Sequence, residues 1–391
     1  MVRLFSVLTL LVLPSCTDDS TRYQIDGVTQ KGPFINGSSV TVQELSSALV
    51  PTGRTFTTQT RNDLGEFSIE SEFVTPFAEV SINGFYFDEI SGALSNAPIS
   101  LRSLADLEQR LRVNVNVLTH LEMSRVRRLV SEGVNLPTAQ LQAQAEVLAL
   151  FHIDSANLDP SQQMDLSQAG QSHAVLLAAS ALLIQMARER GESTDASLSA
   201  ILSSISTDLE PDGVLTSESI ADEIYFASLH LDLEAVRNHL DGRLEELGLT
   251  NVAPDFEDYI DSDGDGILNK DDEPYGAKVA EGSPEEPKRL GAVDVFHEFR
   301  GSVDQGRSYY LVDKVGSGWN LDVRDATDDI DLLVYLTPDI SGTALCTSAE
   351  LGLTVESCDL AGSDQVRPSR VIVIDGSKTT DGALFRLSFN P

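Results

Sequence analysis

The hydrophobic period changes twice along this chain. From Tyr23 to about Leu101, "SSVTVQEL", "RTFTTQT", "GEFSIES" and "FAEVSINGFYF" alternate as strands do, with Gly, Pro and Asn turns such as Asn62-Asp63 between them. From Ser103 to Gly248 the apolar spacing lengthens to three and four residues. After about residue 289, short β-branched and aromatic runs return: "SYYLVDKV", "WNLDVRD", "IDLLVYL", "RVIVID" and "LFRLSF". A period of 2 and a period of 3.6 cannot share one element, and 391 residues exceed one simple core. The order predicts a multidomain α+β protein. A β-sandwich is expected over 23–102, a helical bundle over 103–249, a linker over 250–288, and a second β-sandwich or jelly roll over 289–391.

Within the helical part, Leu233, Val236, Leu240, Leu244 and Leu247 form an apolar stripe. Asp232 stands at the N-cap position and Gly248 just past the end. Leu118, Leu121, Leu129 and Val130 form another stripe, which stops at Gly133. "AVLLAASALLIQMA" is apolar on nearly every side and too short to cross a bilayer, so it is expected at the centre of the bundle. His120 and His173 lack metal-ligand spacing and read as structural.

Net charge is −34, from 61 acids against 27 bases. Such a chain offers no basic surface to nucleic acid, which is not expected as a partner, and it attracts divalent cations. At the N-terminus, Arg3 precedes the apolar run Leu4–Leu13, the layout of an export signal over 1–15. The "LPSC" ending at Cys16 resembles the lipobox of bacterial lipoproteins; an ordinary cleaved signal is the alternative. The resemblance implies a lipid on Cys16, a tether over 16–22 and a membrane partner, each buried methylene contributing roughly 0.8 kcal/mol. Thr17, where Asp would retain the protein, resembles the pattern sorted to the Gram-negative outer membrane. With Cys16 acylated, Cys346 and Cys358 remain. In an oxidising compartment they are expected to form a disulfide contributing about 3 kcal/mol by loop entropy, the alternative being two buried thiols.

"DSDGDGILNKDDEP" places acids at fixed intervals. Asp261, Asp263 and Asp265 occupy positions one, three and five of a loop, with Gly266 at six for a sharp turn. Ile267 at seven would offer its carbonyl, Leu268 at eight an apolar anchor, Asn269 at nine a contact through water, and Asp272 at twelve the closing carboxylate. Ca2+ takes about six to eight oxygens, and this spacing aims them at one centre. A solvated acidic tether is the alternative. Pro254 and Pro274 argue against flanking helices. The run resembles one unit of a thrombospondin type-3 repeat, which implies a structural calcium clip of about 10⁻⁴ to 10⁻³ M affinity. Asp208, Glu210, Asp212 and Gly213 echo the pattern, but Ser219 stands at position twelve, and a helix–helix turn is favoured. Asp328, Asp329 and Asp331 read as a solvated strand end.

"NDLGEFSI" resembles the hairpin of transthyretin-like, carboxypeptidase-regulatory domains, which implies a transthyretin- or Ig-like sandwich. "QKGPFINGSSVTVQEL" and "VNVLTHLE" resemble an uncharacterised group of bacterial surface lipoproteins. "GSVDQGRSYYLVDKVGSGWNLDVRDATDDIDLLVYL", with Asp329-Ile330-Asp331-Leu332-Leu333-Val334-Tyr335 as its hallmark, resembles the bacterial pre-peptidase C-terminal domain, an accessory module of secreted proteins. No H-E-x-x-H, G-x-S-x-G or P-loop is present. The expected function is that of a lipid-anchored, calcium-binding cell-envelope protein for binding, adhesion or display, its partner a protein or glycan, and not an enzyme. The alternatives are a hydrolase or its accessory subunit, with a site between the first sandwich and the helices, and a structural spacer.

Overall fold

The computed structural model describes residues 20–109, 112–191, 193–250, 253–262, 264, 266–271, 280–293, 297–315, 319–336, 340, 342–349, 355–360 and 369–390. The signal segment, Cys16, Asp263, Asp265 and Asp272 lie outside them.

The first part comprises β1 (Thr21–Gln30), β2 (Ser39–Leu45), β3 (Pro51–Gln59), β4 (Glu66–Phe73), β5 (Phe77–Gly84), β6 (Phe87–Asp88), β7 (Ala93–Leu94), β8 (Ile99–Asp106) and β9 (Val115–Asn116). They pair as β3-β2-β5-β8, β4-β1-β9 and β6-β7. Val40 stands beside Ile82, Val42 beside Val80, and Ile82 beside Leu101. All are buried, so the two-residue alternation builds one apolar face. Before β4, Asn62 Oδ1 accepts the N–H groups of Leu64 and Glu66, both at 3.2 Å. Gly65 follows at φ +78°, where a Cβ would lie 2.2 Å from the Thr29 carbonyl oxygen; only glycine fits.

The helices are α1 (Val117–Ser131), α2 (Leu136–Ala149), α3 (Gln171–Glu189), α4 (Thr194–Leu209), α5 (Glu218–His230) and α6 (Leu233–Glu246). The helical period expected from Ser103 begins only at Val117. Leu101, Leu104 and Ala105 suit a helical stripe, yet pairing with β5 continues the strand to Asp106, and tertiary pairing outweighs local period. Asn116 and Thr119 then form a reciprocal cap that starts α1. Asp232 caps α6 by accepting the Ala235 N–H at 2.9 Å, and Gly248 ends it at φ +84°. α3 is buried continuously from Ala174 to Ala187. Among the described residues no helix is long and apolar enough to cross a membrane. Sheets and helices share one core, from Ile25 and Phe34 through Leu118 and Leu183 to Phe256, Ile260 and Leu268.

The last part comprises β10 (Lys288–Val293), β11 (His297–Val303), β12 (Arg307–Val315), β13 (Asn320–Arg324), β14 (Asp331–Leu336), β15 (Cys346–Ser348), β16 (Glu356–Asp359), β17 (Arg370–Asp375) and β18 (Ala383–Asn390). Its sheets are β10-β12-β17-β14-β15 and β11-β18-β13-β16. Val312, Ile372 and Leu332 from the first, with Phe299, Leu321 and Leu387 from the second, belong to one apolar cluster. Cys346 and Cys358 form the expected disulfide, their Cα atoms 5.8 Å apart, and join the edge strands β15 and β16 of the two sheets. The chain is therefore mixed α+β with a helical middle.

Candidate functional site

The acidic loop was expected on a loose linker, but the residues leading into it fold onto the helical core. Phe256 and Ile260 are fully buried and Tyr259 nearly so. Their spacing of three and four suits the short 3₁₀ turn Phe256–Tyr259, a signal that the nearby Pro254 hides in the sequence. Arg237 of α6 holds this turn with its guanidinium fork. It donates to Glu257, to the Ala253 carbonyl at 3.2 Å and to the Pro254 carbonyl at 3.0 Å, and lies over the Phe256 ring.

The loop closes from both ends. Asp261 Oδ1 accepts the Gly264 N–H at 2.7 Å, and Oδ2 accepts the Gly266 N–H at 3.0 Å. Asn269 Oδ1 accepts from the Ser262 hydroxyl at 2.9 Å, while its Nδ2 donates to the Glu257 carbonyl at 2.8 Å. Asn269 thus clasps the base of the loop. Leu268 is buried in the first core, and the Ile267 side chain is exposed. Among the described residues no three His, Cys, Asp or Glu side chains are placed to share a metal ion. Of the six proposed ligands, Asp261, Ile267 and Asn269 are described.

Gly264, at φ +74°, rests against α5: a Cβ there would lie 2.9 Å from both Leu229 and Tyr225. Among the described residues, α5 contributes to both cores. Ile220, Ile224 and Ala227 belong to the first core, whereas Leu229, flanked by Tyr225 and Phe226, belongs to the second. At its end, His230 Nδ1 lies 2.7 Å from Glu189 of α3 and Nε2 lies 2.9 Å from the Leu290 carbonyl oxygen of β10. The ring packs edge-on against Phe299 at 4.9 Å. No sequence signal marked His230 or Gly264, since their partners are distant along the chain.

Two clefts flank His230. One, of 980 Å³, includes Arg188, Arg190, Arg289, Glu223, Asp313 and Phe226 in its lining; the other, of 310 Å³, includes Asp232, Asn238, Glu298, Arg300 and Arg386. Two of these arginines are held by acids, Arg190 by Glu223 at 2.8 Å and Arg289 by Asp313 at 2.9 Å. Both clefts mix charge signs and aromatic surface. A cleft between the first sheets and the helices is smaller, 100 Å³, and its lining includes Asp106, Arg112 and Gln162.

The second acidic echo is a helix–helix turn. Asp208 accepts from the Thr216 N–H at 2.7 Å, its hydroxyl at 2.6 Å and the Ser217 N–H at 3.1 Å, and these bonds, the Thr216 hydroxyl foremost, hold its pKa below the usual range. Arg125 binds the Pro211 carbonyl at 2.9 Å. At the strand end, Asp328 accepts from Thr380 and Asp331 pairs with Lys378 at 2.6 Å.

No protein-family model matches this chain, and no curated protein matches it. Solved structures give partial likenesses. A periplasmic inhibitor of g-type lysozyme from Aeromonas hydrophila is 11% identical over 27% of this chain and 97% of its own, with a TM-score of 0.20. The pre-peptidase C-terminal domain of a Bacillus anthracis collagenase is 14% identical over 28% of this chain and 100% of its own, with a TM-score of 0.19. A family GH115 4-O-methyl-α-glucuronidase with specificity for decorated arabinogalactans is 9% identical over 70% of this chain and 41% of its own, with a TM-score of 0.16. One neighbour is of the family that the C-terminal motif resembles. Scores this low establish neither a shared fold nor a shared activity.

Proposed function

We propose that this chain is a calcium-binding, lipid-anchored protein of the bacterial cell envelope, working in binding, adhesion or display, with Ca2+ as a structural clip. In this reading Cys16 carries the lipid, and the paired C-terminal sheets form a sandwich of the pre-peptidase C-terminal kind. The mixed-charge clefts beside His230 offer a surface to a protein or glycan.

The observation that carries the proposal is the seat of the acidic loop: Leu268 lies in the first core, Asp261 and Asn269 hold the loop's described ends, and Gly264 leans on α5, which enters the second core. Asp261 suits an ion ligand. A carboxylate has about four acceptor sites, enough to hold loop amides and a cation together. Asp261, Asp263, Asp265, Asp272, the Ile267 carbonyl and, through water, Asn269 would hold the ion, and Asn269 also fixes the base of the loop. The ion supplies a positive centre that cancels repulsion among the carboxylates.

Calorimetry of the soluble chain with and without calcium tests this. Calcium at about a hundredfold excess over its dissociation constant is expected to stabilise the wild type by roughly 2.7 kcal/mol, and an Asp263→Ala/Asp265→Ala variant not at all. Equal melting of both proteins in every condition would leave a charged turn without an ion.

A further inference from the structure

We propose that Lys31 and Glu89 condense to an intramolecular amide, a covalent cross-link inside the first core. Lys31 follows β1 and Glu89 follows β6. Both residues are fully buried, and Lys31 Nζ lies 2.5 Å from Glu89 Oε1. A buried ion pair offsets its desolvation only when its remaining polar atoms are also satisfied. Glu89 Oε2 is buried and finds no hydrogen-bond partner among the described residues. An ionised carboxylate would carry half its charge on that oxygen, so the site disfavours the charged form.

Ser180 of α3 points the same way. Its hydroxyl oxygen is in hydrogen-bond contact with the Lys31 carbonyl oxygen and lies 2.9 Å from Glu89 Oε1. One hydroxyl proton cannot serve both acceptors. Donated to the Lys31 carbonyl, it leaves Oε1 to carry a proton of its own and donate to Ser180. Burial pushes Glu89 above the usual carboxylate range, against the opposing pull of Lys31.

A neutral acid and a neutral amine held together away from water are the reactants of amide formation, and fixed proximity replaces a large part of the barrier. The ammonium of Lys31 gives one proton to Oε1. The freed amine lone pair attacks Cδ, a C–N bond forms, and a second proton passes from nitrogen to Oε1. The Cδ–Oε1 bond then breaks, water leaves, and Oε2 becomes the amide oxygen. An ammonium and a carboxylate thereby become one amide and one water, with no oxidant or activating group. The backbone holds the partners in place: a Cβ on Gly32 would lie 2.0 Å from the Phe87 carbonyl oxygen, so the two segments are already at closest approach.

Intact mass spectrometry of the purified full chain decides the matter. After allowance for N-terminal processing and the disulfide, the wild type is expected to be lighter than its sequence by one water. Digestion should yield a branched peptide joining Lys31 and Glu89. Glu89→Gln keeps the shape and is expected to lose one ammonia instead, while Lys31→Met should show its full mass. A folded wild-type chain of full mass, with both residues recovered in linear peptides, would overturn the proposal even if a variant failed to fold.

Discussion

Glu122 and His120, two residues apart on α1, show what burial does to single groups. Burial pushes the Glu122 carboxyl from 4.5 up to about 8, against the opposing hydrogen bond from Ser161. Burial, with Arg102 adding to it, lowers His120 from 6.5 to about 4. Stability falls with rising pH wherever the folded state holds more protons than the unfolded. Glu122 does so between pH 4.5 and 8, and costs stability as pH rises through that window. His120 is the reverse case: the unfolded state holds the extra proton between pH 4 and 6.5, so its contribution improves as pH rises. The two oppose one another up to pH 6.5, and above it Glu122 acts alone. Urea unfolding should therefore show stability dropping between pH 6.5 and 8, by on the order of 1–2 kcal/mol. Glu122→Gln should abolish that drop, and a Gln variant with the same slope would assign it elsewhere. Neither shift was legible in a chain with 61 acids, because only the fold tells which carboxylate is dry.

At the scale of elements, the strands and helices that follow a single clear period were legible, as α6 shows with its stripe, its Asp232 cap and its Gly248 stop. What was not legible depended on partners far along the chain. Gly266 stood out by its place in a calcium-loop pattern. Gly264 did not, yet it is Gly264 that leans on Tyr225 and Leu229, while a Cβ on Gly266 would meet nothing within 4 Å. Both glycines have positive φ, so an alanine at either carries a strain of about 1 kcal/mol. Gly264→Ala must also displace α5 side chains, a further 1–3 kcal/mol in round terms, about the usual cost of overpacking. Denaturant titration should rank Gly264→Ala well below Gly266→Ala, and equal values would mean that the loop does not bear on α5. Across the last two sheets, replacing Cys346 and Cys358 by Ser should cost about 3 kcal/mol. An unchanged denaturation midpoint would show that the sheet edges are held without the bond.

At the scale of the whole molecule, the order of strands, helices and strands was legible because each period persists over many residues. The joint between the two cores was not. It is α5, which contributes Ile224 to one core and Leu229 to the other, a division of faces that no periodicity reveals. His230 ties the same helix to Glu189 and to the Leu290 carbonyl. Two cores that share a helix should melt together as long as that helix is held. If calcium fixes the loop against α5, the full chain should unfold in one calorimetric transition with calcium present. Chelation should then separate the transitions of the two cores, the effect of a lost ligand that bound only the folded state. Leu229→Ala should loosen the same joint from its other side, at a cost of about 2–5 kcal/mol, and produce the separation with calcium still bound. A single transition that survives both chelation and Leu229→Ala would place the coupling outside α5. The clefts beside His230 would then remain as surfaces whose shape no ion governs.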